Sequence, residues 1–425
     1  MSKTVTVALI GAGLRGMKYS GFSSQKSLGM QIVAVADPDE VRRQRAQQQF
    51  GLADERCYAN WDAFFAEPRL ADAVFICTRD RDHYIPAMKA LECGYHVLLE
   101  KPMSPSWQEC MALGKQAEKY DRKLTICHVL RYAPFFVEIK RLLDEGRIGR
   151  LMSIQHNENV GYWHQAHSYV RGYFSRSEDS SPMILAKSCH DMDIMSWLAG
   201  GACLSVASYG HLSYFRPENA PPGAPERCID GCPVEDTCVY YAPNTYLIEN
   251  GGWKAEAASN DPSYEARYRA MKEGPFGRCV FRCDNDVVDH QVVSMEFENE
   301  ITAVFTMSAF TENTSRTLKL MGTEGELRAT MDTDEIEVRR FGSGSTERIQ
   351  LSTPDGHIGH GGGDSRLVKD FLDVIRSDGK SYSATSAHAS IQSHLMAFAA
   401  ERSRLEKRMV RLDEFNQEPE RELEH

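Results

Sequence analysis

Val5-Thr6-Val7-Ala8-Leu9-Ile10-Gly11-Ala12-Gly13-Leu14-Arg15-Gly16 is the stretch on which the fold turns. Val5, Val7, Leu9 and Ile10 read as an apolar, β-branched strand, and a helix-compatible run follows the glycines to about Lys26. A glycine-rich turn alone is weak evidence, since an ordinary βα turn looks the same. In the order strand, turn, helix the glycines suit a dinucleotide: Gly11 makes the tight turn, Gly13 lets the backbone approach a pyrophosphate, and Gly16 packs helix on strand. The helix N-terminus at Leu14 and Arg15 adds free N–H groups and a positive dipole end.

Working outward, a second strand from Gln31 to Ala36 ends in Asp37, 21 residues after Gly16. A carboxylate there accepts hydrogen bonds from ribose hydroxyls and repels a 2′-phosphate, which favours NAD over NADP. Arg42 and Arg43, a turn further on, are in reach of a 2′-phosphate, although a helix-surface role is the simpler account. A strand from about Asp72 to Cys77, the loop Thr78 to His83, a helix to about Cys93 and a strand Tyr95 to Leu99 come next, and the last ends in Glu100-Lys101-Pro102. Right-handed crossovers build a doubly wound parallel sheet from such units, with ligands beyond its carboxyl edge. Thr78, His83, Glu100 and Lys101 fall on that edge. Lys101 is held by the proline after it, which confines it to extended conformations; its plainer reading is a surface lysine beside a turn.

The chain has 425 residues, which at about 150 per domain suggests three domains. Hydrophobic residues at 42% and charged residues at 26% exclude disordered, collagenous and coiled-coil classes. With 49 basic against 60 acidic residues the net charge is −11, which speaks against a nucleic-acid partner. The first residues read as a strand rather than a signal peptide, and no apolar run is long enough to span a membrane. Twelve cysteines without an export signal point to reduced thiols and a cytoplasmic location. Leu423-Glu424-His425 looks like a cloning scar.

Gly11-Ala12-Gly13-Leu14-Arg15-Gly16 after a first strand, Asp37 ending the second, and above all Glu100-Lys101-Pro102 closing a later one resemble the glucose–fructose oxidoreductase / inositol dehydrogenase (Gfo/Idh/MocA) family. The resemblance implies a Rossmann domain followed by an α+β domain. It places Lys101 beside the nicotinamide, in proton transfer or substrate orientation, and His83 close to the cofactor. Arg131-Tyr132 resembles the crossover into the second domain, with Arg131 at the cofactor.

From about Gly149 strands dominate: Leu151 to Gln155, Gln291 to Glu298, Ile301 to Phe310, Arg316 to Met321, Glu326 to Thr330 and Ile336 to Phe341. They predict a large, mostly antiparallel sheet with helices on one face. The overall expectation is an α/β protein with a dinucleotide-binding domain over 1–130 and a substrate domain over 131–415. An open sheet face implies a homodimer or homotetramer.

Ser181 to Leu198 reads as one helix carrying Lys187, His190 and Asp191. It resembles the family segment whose histidine, here His190, faces substrate and nicotinamide. Many members carry an aspartate four residues earlier, where this chain has Ala186, with Lys187 beside it. Lys187 and His190 at i, i+3 share a helix face, and with Lys101 they form an acid/base set, since a lysine near another cation has its pKa lowered. A capped helix with polar residues at its mouth is the alternative.

Tyr162, Trp163, His164, His167 and Arg171 lie in a segment dense in rings and forked donors, as a polyhydroxylated ligand requires; inter-subunit packing is the other reading. With Asp191 they are the substrate candidates. His360-Gly361-Gly362-Gly363-Asp364 precedes a helix, with Asp364 as its N-cap or a site residue. Cys228, Cys232, Cys238, Cys279 and Cys283 fall in an insertion at about 216–286. Four of them, Cys228, Cys232, Cys238 and Cys279 with Cys283 as substitute, can bind a structural zinc; free thiols, a disulfide or an iron–sulfur site are the alternatives.

These readings converge on an NAD-dependent oxidoreductase acting on a secondary alcohol of a carbohydrate-like small molecule. Two rivals remain: a redox-neutral glycoside-processing enzyme with tightly held NAD, and a non-enzymatic dinucleotide-responsive regulator.

Overall fold

The computed structural model of the chain describes residues 3–248, 252–351, 360–377 and 380–417; the terminal Leu423-Glu424-His425 lies outside them. The first sheet comprises β1 (Val5–Ile10), β2 (Met30–Ala36), β3 (Cys57–Tyr58), β4 (Ala73–Ile76), β5 (His96–Leu99) and β6 (Leu124–Ile126). Its order is β3-β2-β1-β4-β5-β6 and every pairing is parallel. This is the doubly wound dinucleotide-binding order, whose switch point lies between β1 and β4. Its central strands are apolar without alternation because helices cover both faces; all of Ala73–Ile76 is buried.

The second sheet comprises β7 (Leu151–Asn159), β8 (Cys203–His211), β9 (His290–Phe297), β10 (Thr302–Ser308), β11 (Ser315–Gly322), β12 (Gly325–Thr330), β13 (Glu335–Arg340), β14 (Thr346–Gln350) and β15 (Val410–Arg411). They lie in the order β14-β13-β12-β11-β7-β10-β9-β8-β15, antiparallel except where β7 meets β10. β9 alternates buried and exposed residues along its length, so one face is packed and the other open. The packed face carries Ile154, Phe305, Leu318 and Leu320 and meets the helix Cys189–Ala199. Strand β8 escaped the sequence reading because Cys203-Leu204-Ser205-Val206-Ala207-Ser208 mixes small polar with apolar residues and shows no clean period.

Two helices near the C-terminus join the halves. The helix Gly363–Arg376 returns to the first sheet, where Leu367, Val368, Phe371 and Leu372 share a core with Val5, Val7 and Phe75. The helix Ala387–Glu406 packs on the second core through Met396, Ala397 and Ala400 and touches the first through Ala387. A cut at residue 130 therefore leaves out part of the first domain's core.

Candidate active site

The three glycines behave differently. Gly11 has φ +90° and a Cβ there would lie 2.6 Å from the Cys77 carbonyl oxygen; at Gly16 it would lie 2.1 Å from the Gly11 oxygen. At Gly13 a Cβ meets nothing within 4 Å. Gly11 and Gly16 thus serve the chain's own packing, while Gly13 opens onto space at the N-terminus of the helix Leu14–Gly21, as a pyrophosphate cradle needs. The buried Asp37 carboxylate accepts from Ala12 N (2.7 Å) and Asp39 N (2.8 Å), so it shapes this loop, and its remaining lone pairs stay available to a ribose. Arg43 donates to the Asp37 carbonyl at 2.6 Å.

At the carboxyl edge, Glu100 Oε1 accepts from Arg15 Nε and Tyr19 Oη, both at 2.8 Å, and Oε2 from Lys101 N at 2.8 Å. Burial pushes the Glu100 carboxyl up, but the charges of Arg15 and Lys101 outweigh it and hold the group below the usual carboxylate range. Arg15 also donates to Asp364 Oδ1 at 2.6 Å, and Lys18 lies 2.9 Å from Asp364 Oδ2. Asp364 therefore fastens the returning segment to the glycine-loop helix, and Gly362, not Asp364, is the N-cap of the helix Gly363–Arg376. His83 clamps two loops, with Nδ1 2.7 Å from Pro102 O and Nε2 3.2 Å from Thr78 O. Thr78 itself donates to Asp82 O.

The Lys101 ammonium crosses to the second domain and donates to Ala186 O at 2.6 Å. The helix expected through residues 181–198 is broken here: Met183–Ala186 is one short turn, Lys187 ends it, and Cys189–Ala199 starts anew after Ser188. Lys187 and His190 thus sit on either side of a kink rather than on one helix face. Lys187 Nζ lies 3.2 Å from Glu158 Oε1 on β7. The other Glu158 oxygen pairs with Arg316, which stands directly opposite it in the β7–β11 register.

Arg316 Nε also donates to Asp191 Oδ1 (2.7 Å), which His156 Nε2 meets at 2.7 Å. Asp191, expected from the sequence among the substrate contacts, is fully buried in this network. Burial lowers Lys187, against the pull of Glu158, and raises Glu158, against Arg316 and Lys187.

His190 is 4% exposed; burial first, then Lys101, His360 and His128, push its pKa well below the ordinary value. His164 is lowered likewise, by burial and then by Lys187. Trp163 stacks on His164 at 5.3 Å between ring centroids.

Three expected contacts are placed elsewhere. Arg131 makes a two-pronged pair with Asp193, both bonds 2.7 Å, and bonds Ala384 O, so it locks the crossover instead of facing a cofactor. His167 bonds Tyr246 Oη and stacks on Phe276, and Arg171 donates to Arg278 O, Tyr240 O and Cys228 Sγ. Both hold the insertion onto the domain. Tyr162 packs edge-on against Tyr240.

All twelve cysteines are free thiols. Among the described residues no group of three or more His, Cys, Asp or Glu is arranged to hold a metal. The zinc expected at Cys228, Cys232, Cys238 and Cys279, with Cys283 as substitute, finds no support among the described residues. The Arg171 guanidinium sits against Cys228, and Cys238, Cys279 and Cys283 pack with Phe215, Tyr240 and Phe281 in an apolar cluster.

Glu158, Arg316, His128 and Asp193 were missed. His156 and Glu158 occupy the inward phase of a strand, which was a readable signal, and His128 follows β6 at the same edge that drew attention to Lys101.

Sheet order, an open glycine cradle and a lysine- and histidine-lined edge closed by a second domain define a two-domain dinucleotide-binding oxidoreductase. The chain belongs to the Gfo/Idh/MocA oxidoreductase family: the family's NAD-binding Rossmann fold matches residues 5–128 and its C-terminal alpha/beta domain residues 140–412. YteT of Bacillus subtilis, named as an oxidoreductase, is 25% identical over 387 residues, 86% of this chain and 88% of that protein. Inositol 2-dehydrogenase 2 of Saccharopolyspora erythraea is 28% identical over 217 residues, 48% of this chain; the match spans 57% of that relative's length. The solved structure of levoglucosan dehydrogenase with NADH and L-sorbose has a TM-score of 0.72 at 17% identity, covering 96% of this chain and 99% of that one. At that identity the likeness is one of fold. Among the described residues no helix is long and apolar enough to cross a membrane.

Proposed function

We propose that the protein is an NAD-dependent dehydrogenase for a secondary alcohol of a sugar, cyclitol or sugar derivative. The observation that carries this is the Lys101 ammonium, which reaches from the Rossmann edge to Ala186 O, beside the kink flanked by Lys187 and His190. Curated relatives named as inositol dehydrogenases support the substrate class. Asp37, buried at the end of β2, supports NAD over NADP. Bound nicotinamide supplies a hydride acceptor for the substrate carbon.

The chain's own groups do the rest. Of the three Lys101 donors one is engaged by Ala186, leaving two for the reacting oxygen. His190 takes the hydroxyl proton, and Lys187, kept charged by Glu158, stabilises negative charge building on that oxygen. His190 is itself only 4% exposed, which limits bulk water at its ring. The open face of the second sheet, with Tyr209 and Val292 exposed on neighbouring strands, supports a homo-oligomer.

The test is cofactor reduction across inositols, aldoses and glycosides. Turnover with NAD and loss of about 100-fold or more in kcat for Lys101→Met is the expected result. No reduced cofactor with any of them would sink the proposal.

A further inference from the structure

Behind the reacting edge stand four imidazoles in a row. Ring centroids are 5.3 Å apart for His360 and His190, 5.8 Å for His190 and His128, and 5.4 Å for His128 and His394. The last two are fully buried and His190 is 4% exposed, whereas the His360 side chain is 30% exposed. His394 is closed, with Nδ1 at Ser390 O and Nε2 accepting from Met103 N. Among the described residues the buried Nδ1 of His190 has no hydrogen-bond partner, and neither has either nitrogen of His128.

Alcohol oxidation at such a site leaves a proton to discharge. As the C–H bond breaks, its electron pair leaves as hydride to NAD; the O–H bond breaks, and its proton goes to Nε2 of His190 while the C=O bond forms. The imidazolium must then lose a proton from Nδ1 before the next turnover. Toward His128 there is no exit. Toward His360 there is one.

We infer that His360 relays the proton from His190 to solvent, with Asp364 as the positioning residue that holds its ring. This rests on the reading of His190 as acid/base. Asp364 Oδ1 lies 3.4 Å from His360 Nδ1 and is itself fixed by Arg15 and Lys18 of the glycine-loop helix. The charged groups bearing on His360 are thus Asp364 on its own segment, Arg15 and Lys18 across the domain contact, and Lys187 from the second domain. Burial pushes the His360 pKa down to about 4, Asp364 opposes this, and Arg15 and Lys187 reinforce it. At neutral pH the ring passes a proton on instead of keeping it.

The experiment compares full-length protein with His360→Phe, His360→Gly and Asp364→Asn, loaded with NAD. His360→Phe is expected to lower kcat by about 10- to 100-fold with KM nearly constant, and in His360→Gly, which leaves room for a ring, imidazole in the buffer restores the rate. Asp364→Asn lowers kcat less and is not helped by imidazole. An unchanged kcat in His360→Phe, or a loss in His360→Gly that imidazole does not restore, overturns the relay. A second readout needs no substrate: in 15N-histidine-labelled protein, exchange of the His190 ring N–H with water slows about tenfold in His360→Phe. Equal exchange overturns the relay on its own, so its failure is distinct from failure to find a substrate.

Discussion

Alanine at 186 cannot take up a proton, and the carboxylate that faces Lys187 comes instead from β7. Glu158 faces Lys187 across 3.2 Å in a buried setting, and removing its charge leaves Lys187 to Arg316 and Lys101, with Asp191 the weaker opposing charge. The lysine, already lowered by burial, then falls further. Since the proposed chemistry uses protonated Lys187, Glu158→Gln should move the alkaline limb of the kcat profile down by about one pH unit or more, read from pH–rate curves. Arg131 offers the opposite kind of test. Its pair with Asp193 is buried and two-pronged, so Arg131→Ala should cost about 3–5 kcal/mol of stability, as breaking such pairs does. In the folded fraction, NAD affinity measured by calorimetry should be unchanged; a large loss would return Arg131 to the cofactor.

At the scale of elements, the glycine turn separates packing from binding. Gly16→Ala drives a methyl into the Gly11 carbonyl and should lower the melting temperature sharply. Gly13→Ala meets no atom of the chain and should melt within a degree or two of the parent, yet bind NAD at least about tenfold more weakly. Equal affinities would refute the cradle. The Rossmann half was legible because parallel strands buried on both faces appear as plain apolar runs and its glycines stand in a fixed order. The kink at Lys187 was not, since both its flanks favour helix and only packing against β7 and Lys101 separates them. Asp37 was read as a ribose ligand from its position, but its bonds to Ala12 and Asp39 N–H groups depend on the loop's closed shape, which no spacing reveals. Arg171 read as a ligand contact because the cysteines it steadies lie more than fifty residues away in the chain.

For the whole molecule, buried histidines set the response to acid. His167 is lowered to about 4 and His394 to about 3, each chiefly by burial. Their folded pKa values lie below the unfolded one near 6.5, so the unfolded chain binds more protons between these limits. Stability is full above about pH 6.5 and falls as pH drops toward 4, by about 2 kcal/mol per fully buried histidine at pH 4.5. Thermal melts at pH 7.5 and 5 should show this, and a flat profile would argue against neutral burial. Light scattering should report a dimer or tetramer through the open sheet; a strict monomer would refute that contact.

The helix Gly363–Arg376 has a bearing on synthesis. The first sheet's strands leave the ribosome early, but Phe371 and Leu372, which cover Phe75 and Val7, emerge more than two hundred residues after β6. Until then one face of the nascent sheet stays bare, and the nucleotide half completes its core only when nearly all of the chain exists. A fragment ending near residue 130 should therefore be sticky and poorly folded, and the two halves should unfold in one cooperative step.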